Sequence, residues 1–192
     1  AGPGINDNGS GSAALLELAQ NMSKLKPENT VRLAWWGAEE EGLLGSEAYV
    51  AGLSQAEQDR IALYLNFDMI GSPNYIFMIY DGDESGFEAP VVVPPGSVEI
   101  EDLFERYFTS VGAPYDDAEF SGRSDYEAFI NAGIPAGGLF TGAEAAKIGL
   151  VLKAVPADLR NKLWLQYCFE TLNGLGQDDD HFLDEEDPRR VD

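Results

Sequence analysis

The sequence predicts an α/β fold, a three-layer sandwich in which a mixed, largely parallel central sheet is flanked by helices. Helical and strand patterns alternate along most of the chain, which is typical of this class. One segment, residues 61–70 (IALYLNFDMI), is almost continuously apolar, as expected of a strand buried on both faces. Acidic residues follow two of the predicted strands, where open α/β sheets bind ligands.

The first third of the chain supplies helices around one strand. Residues 10–24 carry apolar side chains at helical spacing after the turn-forming NDNG and predict the first helix. Residues 30–36 alternate as a strand does. Residues 45–53 and 54–59 are predicted to be helical, and the second begins with a capping box of Ser54 and Glu57.

The remainder continues the alternation up to residue 144. The predicted elements are strands at 61–70, 75–80 and 135–140 and helices at 97–111 and 124–132. Beyond them, residues 157–172 predict an amphipathic helix with Cys168 on its apolar face, and a charge-dense tail follows. We therefore expect one folded domain over residues 1–144 and a divergent C-terminal part over residues 145–192.

Composition limits the classes of partner. The chain has 192 residues, 44% of them hydrophobic, which is enough for one sizeable core. Its 34 acidic and 12 basic residues give a formal net charge of -22. Such a surface repels nucleic acid and anionic membranes, so neither is an expected partner, and no apolar run is long enough to span a bilayer. A monomer is predicted, without an intramolecular disulfide because there is a single cysteine.

Asp7, Glu39, Glu40 and Asp68 are the candidate functional residues. Asp7 lies in a turn at a helix start, and the others follow predicted strand ends, so all four can reach one edge of the sheet. Like-charged carboxylates in one cleft raise each other's pKa values and oppose folding unless a cation neutralises them. A metal site, with one ion or a pair, is the economical interpretation. The neighbouring Glu41 is expected to be solvated.

Each of these residues also has a simpler interpretation. Asp7 alone is a plausible helix cap, and Glu39 and Glu40 alone are typical of the first turn of a helix. Asp68 is harder to explain in this way because a carboxylate in an apolar strand needs a partner.

Four blocks of sequence together are more specific. They read AGPGINDNGSGSAALLELA, LAWWGAEEEGLLGS, LNFDMIGSPN and SGRSDYEAFINAGIPAGGLFTGAE. In this order they resemble the motifs of the secreted two-zinc aminopeptidases, the leucine-preferring bacterial and fungal enzymes of metallopeptidase clan MH. The resemblance implies an extracellular enzyme that uses two zinc ions to hydrolyse peptides from a free amino terminus. Arg123 and Phe140 fall in the block that lines the substrate cleft.

The resemblance also implies a role for each carboxylate. Asp7 is similar to the aspartate that bridges both metals, and Glu39 to the general base that deprotonates the attacking water. Glu40 resembles a ligand of one zinc ion and Asp68 a ligand of the other. Adjacent glutamates that leave a strand point in different directions, so one can bind metal while the other faces the water.

The family pattern is incomplete in its histidines. The family has one histidine ligand on each zinc ion, the first in a His-x-Asp segment before the bridging aspartate and the second in a Tyr-His loop after GGLFTGAE. Neither segment is found, and the single histidine, His181, lies in an acidic tail as a solvated residue would. Zinc affinity should then drop, and calcium or magnesium become competitive.

Two alternative functions stay open for this reason. A homologue without catalysis would keep the fold for binding or assembly, which the absent histidines favour. A glutaminyl-cyclase-like acyltransferase shares the fold and uses one zinc ion, but the Glu39-Glu40 pair and the GGLFTGAE block argue against it.

One further motif invites a calcium site. Asp81, Asp83, Ser85 and Gly86 match the start of an EF-hand loop, but Val92 stands where the last, bidentate glutamate should be. A turn after a strand is the better account, with a weak calcium site as the alternative.

Overall fold

The computed structural model describes residues 3–73 and 75–143. Within these ranges the elements, in chain order, are α1 Gly9–Met22, α2 Leu44–Ala51, α3 Gln55–Gln58, β1 Tyr64–Phe67, β2 Phe77–Tyr80, α4 Ser97–Val111, β3 Tyr115–Ala118, α5 Tyr126–Asn131 and β4 Ala136–Phe140. The predicted helix at 157–172, Cys168, His181 and the whole 145–192 part lie outside the described residues. None of the helices just named is long and apolar enough to cross a membrane.

The four strands form one mixed sheet in the order β1-β4-β2-β3. β1 runs parallel to β4, with Tyr64 opposite Ala136, and β2 runs parallel to β3. β2 and β4 are antiparallel, with Met78 opposite Phe140. The predicted mixed, largely parallel sheet is confirmed.

Helices cover both faces of this sheet. Ala136 of β4 packs in a buried cluster with Tyr126 and Ile130 of α5. The next residue, Gly137, faces α4, where an added Cβ would lie 2.4 Å from Cγ2 of Ile100. Successive strand residues point to opposite faces, so α5 and α4 lie on opposite sides of the sheet. The three-layer prediction is confirmed.

Helix predictions from the sequence agree closely with the structure. α4 has the predicted bounds, and α1 and α5 agree to within about two residues, the usual uncertainty of helix ends. The capping box is present before α3, where Oε2 of Glu57 accepts from the backbone N–H of Ser54 at 2.8 Å.

Strand predictions were less accurate. Residues 30–36 form no strand in the part of the chain that the structure describes, and Val31 and Trp35 are each 49% exposed. The prediction that 61–70 is buried on both faces is also wrong, because β1 covers only 64–67 at the edge of the described sheet and Leu65 is 38% exposed. The sequence does not predict β3, because two of its four residues are aspartates, which strands disfavour.

An aromatic cluster beside α5 packs against the strand that precedes the site. Phe129 stacks on Tyr64 of β1 with ring centroids 3.9 Å apart, and Trp36 lies 5.0 Å from Tyr49 of α2. Trp36 therefore packs against the core, whereas its neighbour Trp35 is exposed. The cluster fixes α2, α5 and β1 relative to one another, and the candidate site lies where their connecting loops meet.

Candidate active site

Asp68 follows β1 directly and is the most enclosed of the predicted metal ligands. The chain turns at Met69, whose φ of 50° is in the left-handed region. Oδ2 of Asp68 accepts a 2.7 Å hydrogen bond from Ser124 Oγ. The other oxygen, Oδ1, is buried and has no hydrogen-bond partner among the described residues. Since a buried carboxylate oxygen without a partner is costly, this atom fits a site for a cation.

Asp7 is brought beside Asp68 by its neighbour Asn8. Asn8 caps α1 by accepting from Gly11 N at 3.0 Å, and the same amide group accepts from Met69 N at 3.3 Å and donates to the Phe67 carbonyl at 3.0 Å. The start of α1 is thereby fastened to the end of β1. The interpretation of Asp7 as a helix cap is wrong, because Asn8 performs that role.

A second set of hydrogen bonds joins the same two segments. Oδ1 of Asn6 accepts from Gly71 N at 3.1 Å, its amide nitrogen donates to Ser72 Oγ at 3.1 Å, and Ser10 Oγ accepts from Ile70 N at 3.1 Å. The turn-forming composition of INDNGS indicated a turn here, but nothing in it showed that these side chains would bind residues 70–72.

Glu39 and Glu40 sit in a turn that enters α2. Ala38 has a φ of 58°, and the turn closes through a hydrogen bond from Leu43 N to the Glu39 carbonyl at 2.8 Å. A hydrogen bond between the Glu40 and Asp7 carboxyl groups raises the pKa of Glu40, as do the Asp7 charge and, further, that of Asp68. Carboxylates that lie this close together repel one another, and a cation bound between them would relieve the repulsion.

Glu39 faces the same group of acids. Burial, followed by the charges of Asp68, Asp125, Glu40 and Asp7 in that order, raises its pKa from the usual 4.5 to about 7. A carboxyl group that titrates near neutrality can both accept and release a proton under ordinary conditions. The structure thus brings together all four carboxylates singled out in the sequence, while Glu41 is exposed as expected.

The two predicted substrate-binding residues are placed differently. Arg123 lies in the loop between β3 and α5, and its charge lowers the pKa of Glu40, so it is near the carboxylates. Phe140 ends β4 and packs against the core cluster that contains Tyr80 and Tyr126. Its role in substrate binding stays a prediction.

Three residues of the site carry little signal in the sequence. Ser124 bonds to Asp68, and the next residue, Asp125, accepts a 2.5 Å hydrogen bond from Oγ of Ser46, which is fully buried in α2. This bond ties the segment that holds Glu39 and Glu40 to the loop that holds Ser124. Because a Ser-Asp pair in a loop can have many roles, the sequence alone does not show that Ser124 and Asp125 bind Asp68 and Ser46.

The stretch that begins like an EF-hand forms a loop after β2. Asp81 is 2% exposed, and its carboxylate accepts from the backbone N–H groups of residues 85–87. Glu101 of α4 accepts from the backbone N–H groups of residues 82 and 83. Oxygens of Asp81, Asp83 and Glu101 lie within 4.8 Å of one another. Backbone N–H groups therefore satisfy the hydrogen-bonding needs of the buried Asp81 and Glu101 carboxylates, as expected of the predicted turn.

An open mixed α/β sheet with a carboxylate cluster beyond a strand end is the architecture of a metal-dependent hydrolase. Comparison with known families agrees with this class. The model of peptidase family M28 matches residues 1–168, and the chain belongs to that family.

The curated relatives and solved structures that resemble the chain are named as aminopeptidases. The chain is 58% identical to the probable leucine aminopeptidase 2 of Aspergillus fumigatus over 147 residues. This matched stretch is 77% of the chain and 29% of the relative. It is 58% identical over 146 residues to an aminopeptidase of Pseudomonas aeruginosa, covering 76% and 27%. The chain thus spans 27 to 29% of the length of these two relatives.

Two solved structures support the fold. An aminopeptidase from Aneurinibacillus sp. strain AM-1 superposes with a TM-score of 0.58 at 36% identity, over 73% of this chain and 31% of that one. A zinc aminopeptidase from Bacillus subtilis superposes with a TM-score of 0.62 at 28% identity, over 76% and 34%.

Proposed function

We propose that this protein is a zinc-dependent aminopeptidase that removes residues from the free amino terminus of peptides. The observation that carries the proposal is the buried, unpartnered Oδ1 of Asp68 next to Asp7, Glu39 and Glu40. Membership of peptidase family M28 and the aminopeptidase names of the relatives support it and favour it over a cyclase-like acyltransferase.

The residues proposed to hold the metal are Asp7, Glu40 and Asp68. Asp7 interacts with both of the others, by a hydrogen bond to Glu40 and through its charge on Asp68, so it is suited to a position between two zinc ions. Burial raises the pKa of Asp68 first, and the Asp7 charge raises it further, which a bound cation would reverse. Bound zinc would polarise the substrate carbonyl and acidify a water molecule.

Glu39 is proposed to move the proton. With a pKa of about 7, it can take the proton of the attacking water and then deliver it to the leaving amine. The surrounding carboxylates would attract the protonated amino terminus of a peptide. Arg123, whose charge acts on Glu40, and Phe140 are proposed to contact the substrate.

A non-catalytic relative of the fold is the second candidate. The observation in its favour is the donor set, because the three proposed metal ligands, Asp7, Glu40 and Asp68, are all carboxylates and the one histidine of the given sequence is His181. Oxygen-only sets also suit calcium and magnesium. A protein of this kind would keep the site for binding without hydrolysis.

Zinc content and hydrolysis of leucine p-nitroanilide, measured on the same samples, separate the two candidates. For the enzyme we expect Glu39→Gln to retain zinc and lose about 10²- to 10⁴-fold in kcat, since the base is gone and the ligands remain. Glu40→Gln should lose zinc. Glu41→Gln is the matched control, because Glu41 is the exposed neighbour, and should change neither. Absence of both zinc and hydrolysis in the unaltered protein would favour the non-catalytic candidate.

The proposal includes a monomer that acts outside the cell. A formal net charge of -22 makes copies repel one another, which supports the monomer, and export rests on the resemblance to secreted enzymes. Light scattering on the purified protein at physiological salt would test the first point, and a dimer mass would contradict it.

A further inference from the structure

Tyr126 is buried at the start of α5, next to the loop that enters the site. Its side chain is 2% exposed, and its ring packs against Tyr80 and Phe120 with centroids 4.8 and 5.0 Å away. The phenol oxygen accepts a 2.8 Å hydrogen bond from the backbone N–H of Gly122. A ring held on two sides therefore presents one polar atom to the loop.

The phenol contacts several consecutive loop residues. Burial raises the pKa of Tyr126, and hydrogen bonds to the Ser121 side chain and to the backbone of Gly122 and Arg123 act against that rise. Gly122 has a φ of 77°, and an added Cβ there would lie 2.9 Å from the Glu127 carboxylate. Gly122 therefore has a backbone conformation that favours glycine, and its N–H is hydrogen-bonded to the phenol of Tyr126.

The residues that follow Gly122 each reach another part of the site. Arg123 lowers the pKa of Glu40 through its charge, and Ser124 donates to Asp68 at 2.7 Å. The path of residues 121–123 therefore decides where these two side chains meet the carboxylates.

We propose that Tyr126 is a positioning residue, whose phenol holds residues 121–123 so that Arg123 and Ser124 stand against Glu40 and Asp68. Its effect on substrate and metal rests on the proposed function. Phenylalanine at this position would keep the ring packing but leave the Gly122 N–H without its acceptor. The loop would then be free to adopt other paths while the core stays intact.

Tyr126→Phe tests this, with Ile130→Val as a matched control on the same helix and in the same buried cluster. The first readout is hydrogen exchange of the amides of residues 121–124, which needs neither metal nor activity. We expect exchange to accelerate about tenfold in Tyr126→Phe and to stay unchanged in Ile130→Val. Zinc affinity, measured by competition with a chromophoric chelator, should fall by a factor of about ten in Tyr126→Phe alone.

A change in the path of residues 121–123 also predicts a change in the kinetic constants. KM for leucine p-nitroanilide should rise by a larger factor than kcat falls, because Arg123 is proposed to contact substrate whereas Glu39 is held by a different loop. Unchanged loop exchange in Tyr126→Phe would overturn the proposal, as would equal effects in the two variants, since that would reflect general loss of stability. If the unaltered protein binds no zinc, the proposed function fails, and the exchange comparison alone then decides whether Tyr126 holds the loop.

Discussion

Ser124 Oγ donates a 2.7 Å hydrogen bond to Oδ2 of Asp68 and accepts one of 2.9 Å from the amide of Asn66. The hydroxyl proton is committed to the carboxylate because the amide supplies the second bond. Asp68 is therefore held at Oδ2, while its buried Oδ1 has no hydrogen-bond partner among the described residues. A side chain that orients a proposed metal ligand in this way would affect metal affinity without touching the metal.

Ser124→Ala should lower zinc affinity about tenfold, because Asp68 loses its orienting donor. The measurement is zinc competition with a chelator of known affinity. Ser110→Ala is the control, since the hydroxyl of Ser110 bonds only to a carbonyl on the exposed side of α4. Equal zinc affinity in the two variants would show that this hydrogen bond does not matter to the site.

Asn8→Ala should lower the free energy of unfolding by about 2 to 3 kcal/mol, counting roughly 1 kcal/mol for the helix cap and about 1 for each of the hydrogen bonds to Phe67 and Met69. Urea denaturation of the metal-free protein measures this. In the control Asn21→Ala, the lost amide bonds only within α1, to Glu17. A change there of more than about 1 kcal/mol, or none in Asn8→Ala, would contradict the interpretation.

Gly11→Ala should destabilise the protein, although alanine favours helices over glycine by about 1 kcal/mol. The added Cβ would lie 2.0 Å from the Phe67 carbonyl oxygen, so α1 would have to move away from β1. We expect a loss of at least about 2 kcal/mol in urea denaturation. Ser12→Ala, one position further along, should stay within about 0.5 kcal/mol. A stabilised Gly11→Ala variant would mean that α1 does not approach β1 this closely.

Glu101→Gln should make the protein more stable at high pH and leave it unchanged at low pH. Burial raises the pKa of Glu101 from its usual 4.5 to about 7. The folded protein therefore binds more protons than the unfolded chain across that range, and its stability falls as pH rises through it. Glutamine does not titrate and can still accept from the two backbone N–H groups. The expected gain near pH 8 is about 1 kcal/mol after allowance for solvent screening.

Thermal unfolding at about pH 5 and pH 8 measures the Glu101 effect. Glu99→Gln is the control because Glu99 lies on the exposed side of the same helix. The pH interpretation is wrong if Glu101→Gln shifts the melting temperature equally at both pH values.

Helices could be predicted because their signals are local. The 97–111 helix has an amphipathic pattern between Gly96 and Gly112, and the structure places both glycines at its ends with left-handed backbone. Strands are harder to predict from the sequence, because a strand forms only if a neighbouring strand pairs with it. The pattern at 30–36 has no such neighbour in the described sheet, whereas the unpromising sequence of β3 pairs with β2.

The sequence by itself determined the chemistry available to the site: Asp7, Glu39, Glu40 and Asp68, in turns after strands or before a helix. Tertiary structure alone decided that Asn8 rather than Asp7 caps α1, and that Ser124 reaches Asp68 across 56 residues of chain. The physical reason is that local patterns specify helices and turns, whereas contacts between distant segments depend on how the sheet pairs and which loops that pairing brings together.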